Sequence, residues 1–336
     1  MIGLQTSTET KVMRMGKFDA ESKKYLSINR IFADAFNFLI YDGEPVIKPE
    51  ALHAVDTTEI AIPYGHGARV PIQKYRDIMK IWAAMQDEDA VYVLLGGEAQ
   101  NRVHYAMPVR DMLYDSINYV SQVDEAKRSY RNHGEDAGEL SFEDGELKIR
   151  LTQEEFLSGF RKDDKLIPVI TAVIYFGPDE WDGPTSIHDM LKVPDERMLR
   201  VIPNYSINLI APARIDDEDF GKFNTDLGLA MKVIKYQKTS AVEIIQQTNH
   251  RKIDRGTAEF LNRVVNLNLV YQEPAEEGEV DMCKAMEDYT KKKEVLASIK
   301  TMKALGIEPE KIVEQVSQLF NTSKEYVEEL MAPIPA

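Results

Sequence analysis

The sequence predicts a mixed α/β domain followed by an all-helical C-terminal module, and three observations carry that prediction. Val91–Leu95 and Leu166–Phe176 are almost uninterrupted apolar runs rich in β-branched residues, the pattern of strands buried on both faces. Around them, apolar residues recur at helical spacing, as in Ile28, Phe32, Ala35 and Phe36. Beyond Ala213 no convincing strand follows, while helical stripes and capping pairs succeed one another.

Taken in order, residues 1–26 form a tail. Residues 1–30 hold six basic side chains (Lys11, Arg14, Lys17, Lys23, Lys24, Arg30) against three acidic ones, a candidate strip for a polyanion. Ser27–Ile40 is a helix whose stripe leaves Asp34 outside, free to face a groove. A turn-rich stretch over 42–74 flanks a short strand at Thr58–Ile62. Two strands then run from Tyr75 to Gln100 around an acidic turn at Gln86–Asp89. Pro108 suits the first turn of a helix, and Val109, Met112, Leu113, Ile117 and Val120 form its expected buried stripe, packed behind the second strand. Thr152 with Glu155 makes a capping box for a short helix, Trp181 reads as a packing anchor, and Ser206–Ile210 is the expected last strand. Phe220, Phe223, Leu227, Ala230, Met231 and Ile234 mark one helix, and Ser240 with Glu243 caps the next. After an acidic break at Pro274–Asp281 come a long helix closed by Gly306, one through Ile312 and Val316, and a short one capped by Thr322 with Glu325. The resulting division is a tail (1–26), an α/β domain (27–213), a helical extension (214–273) and a C-terminal module (274–336). The last three helices have the look of a helix-turn-helix, but from Glu308 to Met331 acidic residues outnumber basic ones where a DNA-reading helix is normally basic, so homo-oligomerisation or regulation is the expected role of that module.

The chemistry concentrates on the strand pair. Glu98 and Gln100, two apart on a strand, project to one side, and a hairpin folds Asp77 back beside Glu98. Two carboxylates sharing a sheet edge repel each other unless a cation lies between them, and a hard cation with open water positions is the usual solution. Mg²⁺, with Mn²⁺ as its substitute, and phosphodiester hydrolysis follow as the expectation. In a chain with 56 acidic residues the spacing alone is a weak signal; its weight comes from a polar triplet placed directly after an apolar strand.

Asp77, the apolar strand leading into Glu98-x-Gln100, and YAMPVRDMLY at Tyr105–Tyr114 together resemble the Rpn family of recombination-promoting nucleases, within the PD-(D/E)xK superfamily. The likeness extends through FADAFNFLIYDG at Phe32–Gly43, FLSGF at Phe156–Phe160 and LIPVITAVIYFGPDEWDGP at Leu166–Pro184, and covers roughly residues 28–330. It implies a restriction-endonuclease-like core, DNA as substrate and Mg²⁺ as cofactor. Asp77 and Glu98 then match the metal-binding acids, and Ala99 offers its backbone carbonyl. Gln100 takes the place of the motif lysine and orients the attacking water, Asp34 matches an acid of the N-terminal helix and a further metal ligand, and Arg110 braces Glu98 or contacts a phosphate. Two positions depart from the pattern. Gln100 is a neutral amide that can orient but not neutralise charge, and Asn37 stands where many relatives carry lysine. Both leave open a nuclease-like scaffold that binds DNA or regulates without cutting.

Composition sets the outer bounds. A net charge of −15 argues against a general nucleic-acid coat, though a local basic strip can still meet a polyanion. The lone cysteine, Cys283, cannot form an intrachain disulfide, which suits a reducing cytoplasm. No apolar segment approaches the ~20 residues needed to span a bilayer, so no membrane partner is expected.

Overall fold

The two apolar runs become adjacent central strands. The computed structural model describes residues 18–55, 58–61, 72–75, 77–84, 92–132, 141–143, 146–148, 151–248, 251–265 and 278–331. The turn at Gln86–Asp89, the basic positions Lys11, Arg14 and Lys17, and Pro274 lie outside them. Five strands make one mixed sheet in sequence order: β1 (Leu52–Ala54), β2 (Ile78–Ala83), β3 (Tyr92–Gln100), β4 (Val169–Tyr175) and β5 (Asn208–Ile210). The β1–β2 and β2–β3 pairs are antiparallel, whereas β3–β4 and β4–β5 are parallel. A parallel neighbour needs a long crossover, and the chain between β3 and β4 contains helix α3 (Met107–Asn132).

Before the sheet come α1 (residues 18–27) and α2 (Asn29–Tyr41). The helix expected at Ser27–Ile40 is α2, whereas the tail expected over 1–26 is helical from residue 18 onward; Ile28, with extended backbone (φ −66°, ψ 121°), separates the two helices. Residues 31–37 of α2 are buried, Phe32 and Phe36 completely.

Helix α3 corrects the periodicity reading. Val109, Met112 and Val120 are exposed, and the buried face carries Asp111, Tyr114, Asp115 and Asn118 beside Ile117. Its polar groups find partners across the sheet. Thr171 Oγ1 and the Tyr205 hydroxyl each donate to Asp115 at 2.6 Å, so the helix is pinned by charge-assisted hydrogen bonds where an apolar stripe was expected. Trp181 does anchor its loop: it is buried with Met107, Val173, Tyr175, Ile207 and Ala211, edge-on to Tyr175 at 5.4 Å between ring centroids. The capping box is present at the start of α4 (Gln153–Ser158), with Thr152 and Glu155 each accepting from the other's backbone N–H. The helix expected from Phe220 resolves into a 3-10 turn at Asp219–Lys222 and then α5 (Leu227–Lys235).

The chain divides into two compact units, 1–235 and 236–336. The second contains α6 (Ala241–Gln246), α7 (Arg255–Val264), α8 (Met282–Ala304), α9 (Pro309–Leu319) and α10 (Lys324–Met331). It is not wholly helical, because Lys252–Asp254 pairs antiparallel with Glu279–Asp281, each strand ending in an aspartate that caps the following helix. Val295 and Ile299 of α8 pack with Ile312, Val316 and Val327 from the two helices that follow. Gly306, at φ +73°, supplies the left-handed turn after α8. Ser323, not Thr322, accepts the capping N–H at α10, and Ser240 makes no side-chain cap at α6. Among the described residues no helix is long and apolar enough to cross a membrane.

Candidate active site on the central strand pair

The register of β2 and β3 brings the two acids together. Ile78 lies opposite Gly97, so one step outward along the same ladder sets Asp77 against Glu98. Side chains and backbone then interlock: the Ala99 N–H donates to Asp77 Oδ2 at 3.1 Å, and the Asp77 N–H donates to Glu98 Oε1 at 3.4 Å. The polar triplet is not past the strand's end, as its position after Leu95 suggests. β4 pairs with β3 as far as Gln100 opposite Tyr175, and this keeps Glu98 inside the sheet with no exposed surface.

Each acid holds a cation from a different helix. Lys23 of α1 approaches Asp77 Oδ1 at 3.0 Å and also pairs with Asp19, one helical turn back, at 2.9 Å. Arg110 of α3 lies 2.9 Å from Glu98 Oε2, while its Nε donates to the Tyr114 hydroxyl at 3.0 Å. Of the two roles expected for Arg110, the structure displays the brace on Glu98. Nothing local to Lys23 signals its place beyond its membership of a basic strip, since its partner is 54 positions away.

Close approach of the N-terminal helices depends on Gly97. A Cβ there would meet Phe32 Cε2 at 3.0 Å and Leu26 Cδ2 at 3.3 Å. Ser22 Oγ adds a hydrogen bond of 2.8 Å to Asn101 Oδ1, tying α1 to the residue after β3. The helix that carries Lys23 is thereby fixed to the strand that carries Glu98.

Burial governs the titration of these groups. It raises the Asp77 carboxyl above its ordinary range, and the opposing pull of Lys23 is too small to reverse this. For Lys23 burial acts downward, but hydrogen bonds to Asp19 and Asp77 outweigh it and the ammonium is held above its usual value. Arg110 follows the same pattern, with burial overcome by Glu98 and then Tyr114. His104 is shifted down by burial and by the charge of Arg110.

Asp34 is elsewhere. It is buried, not facing a groove, and its carboxylate accepts from the Asn224 N–H at 2.7 Å and from the Thr225 N–H and hydroxyl at 2.9 and 2.6 Å. It fixes the turn before α5, and the metal role expected for it gives way to that structural one. Asn37 has a similar duty, since its amide exchanges two hydrogen bonds with the Ile47 backbone at 2.8 and 3.0 Å.

Asp77 and Glu98 offer adjacent hard oxygen donors, a set that fits Mg²⁺, which takes one or two carboxylates and completes its shell with water. Among the described residues no group of three or more His, Cys, Asp or Glu could hold a metal ion, so a third protein carboxylate does not join them. Ala99 is buried beside the pair and Gln100 is partly exposed at the end of β3. Comparison with protein-family models, with curated proteins and with solved structures found no match to this chain.

Proposed function

We propose that the chain is a Mg²⁺-dependent DNA endonuclease of the Rpn type, with a restriction-endonuclease-like core of the PD-(D/E)xK superfamily in its α/β unit. The observation that carries this reading is the cross-strand contact of Asp77 with Glu98, two acids 21 positions apart held together by each other's strand backbone. Asp77 and Glu98 would hold Mg²⁺ or Mn²⁺, with the Ala99 carbonyl as a further donor. When bound, the ion supplies Lewis-acid stabilisation of the phosphate and a more acidic water. Gln100, on the same side of β3 as Glu98, orients that water through its amide. Arg110 holds the Glu98 carboxylate in place.

Conversion of supercoiled plasmid by the wild type in Mg²⁺ or Mn²⁺ tests the reading directly. Asp77→Ala and Glu98→Ala are each expected to cut at least about 100-fold more slowly; equal behaviour of all three proteins rejects catalysis. A second reading, a scaffold that binds DNA or a regulatory partner without cutting, draws on two observations. Gln100 cannot neutralise charge, and each acid is already ion-paired. Retained DNA binding with no cleavage by the wild type would favour it. The C-terminal helices are proposed as a homo-oligomerisation surface.

A further inference from the structure

We infer that Lys23 is the residue of this site that meets a backbone phosphate, supplying the positive charge that the neutral Gln100 lacks; the inference takes its substrate from the endonuclease reading. With a divalent cation on the two carboxylates the site is close to neutral, and a phosphodiester adds a negative charge of its own, which a further cation on the side from which it comes would offset. Arg110 is poorly suited. Its planar guanidinium is fixed between the Glu98 carboxylate and the Tyr114 hydroxyl, and releasing it would leave Glu98, which has no exposed surface, without that cation.

Lys23 is the more exposed and less constrained of the two cations, and the acid it pairs with keeps the Ala99 N–H as a donor. Its side chain is 39% exposed while that of Asp77, which it pairs with, is 5% exposed, so Lys23 is the solvent-accessible member of that ion pair. A flexible stem lets it move with little disturbance of the backbone. Asp19 gives it a second anchor on its own helix, so leaving Asp77 does not leave it without a partner. The helix beneath it is meanwhile held by Ser22 on Asn101 and by Leu26 against Gly97. The side chain can therefore swing from carboxylate to phosphate while α1 stays in place. A lysine that served only as a counter-ion for Asp77 would contribute to stability and to nothing else.

The test uses the full chain with Lys23→Met and Lys23→Arg. Binding of a fluorescein-labelled DNA duplex is read by anisotropy across a KCl series with Ca²⁺ in place of Mg²⁺, and plasmid cleavage is read separately in Mg²⁺. Lys23→Met is expected to weaken binding, to reduce the salt slope by about 1 and to slow cleavage by about 100-fold. Mn²⁺ affinity measured by calorimetry should be unchanged or tighter, because a competing cation has gone. Lys23→Arg should restore the slope. Lys23→Gln, which keeps a donor toward Asp77, replaces the methionine variant if that one fails to fold. A wild-type salt slope and wild-type cleavage in the neutral variants, with only a lower unfolding midpoint, would overturn the inference while the endonuclease reading stands. A wild type that binds DNA with a Lys23-dependent slope but cuts nothing has the opposite meaning. No DNA binding by the wild type removes both.

Discussion

Glu98 has no exposed surface and faces the Arg110 guanidinium at 2.9 Å. Breaking such a pair from one side leaves an uncompensated buried charge, typically at a cost of about 3–5 kcal/mol, whereas removing both charges together costs far less. Arg110→Met should therefore lower the unfolding free energy by about 3 kcal/mol in urea titrations, and adding Glu98→Gln should recover much of that loss. An additive loss in the double variant would mean that the pair contributes little. Asp34 makes a contrasting case. Asp34→Ala deprives two backbone N–H groups and a hydroxyl of their acceptor, at about 2 kcal/mol, yet should leave Mn²⁺ affinity unaltered. Its sequence setting, off an apolar stripe, describes a surface acid equally well. The partners that bury it are about 190 positions away, where no local pattern can register them.

At the scale of elements, β3 and β4 were legible because contiguous β-branched runs have few other uses in a domain of this size. The meeting of Asp77 and Glu98 was legible from the turn expected at Gln86–Asp89, midway between them. Helix α3 was legible as a helix from Pro108 onward, but its buried face was not, since that face carries Asp111, Tyr114, Asp115 and Asn118, with Thr171 and Tyr205 donating to Asp115. A search for apolar periodicity selects the wrong side of such a helix. Gly97 carries a prediction of its own. Gly97→Ala should cost about 1–3 kcal/mol and loosen α1, seen as faster amide exchange over residues 18–27, because Phe32 and Leu26 occupy the space a methyl needs. On β2, Lys80 is buried and donates to the Ser27 carbonyl at 2.7 Å and to the Asn29 side chain, and burial lowers its pKa from 10.5 to about 8. Below pH 8 both folded and unfolded chains carry the proton and the burial penalty is felt in full. Between about 8 and 10.5 the folded chain releases it first, so stability contributed at this position rises with pH across that window. Urea midpoints of wild type and Lys80→Met, compared at the two ends of the window, should converge or cross in that sense. A pH-independent difference would show that Lys80 stays charged.

For the whole molecule, a net charge of −15 means that any grip on DNA has to come from a few local cations and not from the overall field. The proposed self-association of the C-terminal helices predicts that a chain ending before Pro274 scatters light with a lower subunit number than the full chain; an unchanged number removes the idea. The sheet itself is a poor route to assembly. Its outermost strands, β1 and β5, are only three residues long. Rims so brief expose too few free amides and carbonyls to template a sixth strand from a neighbour. The five-stranded sheet thus carries a built-in guard against fibre-like stacking through its own rims.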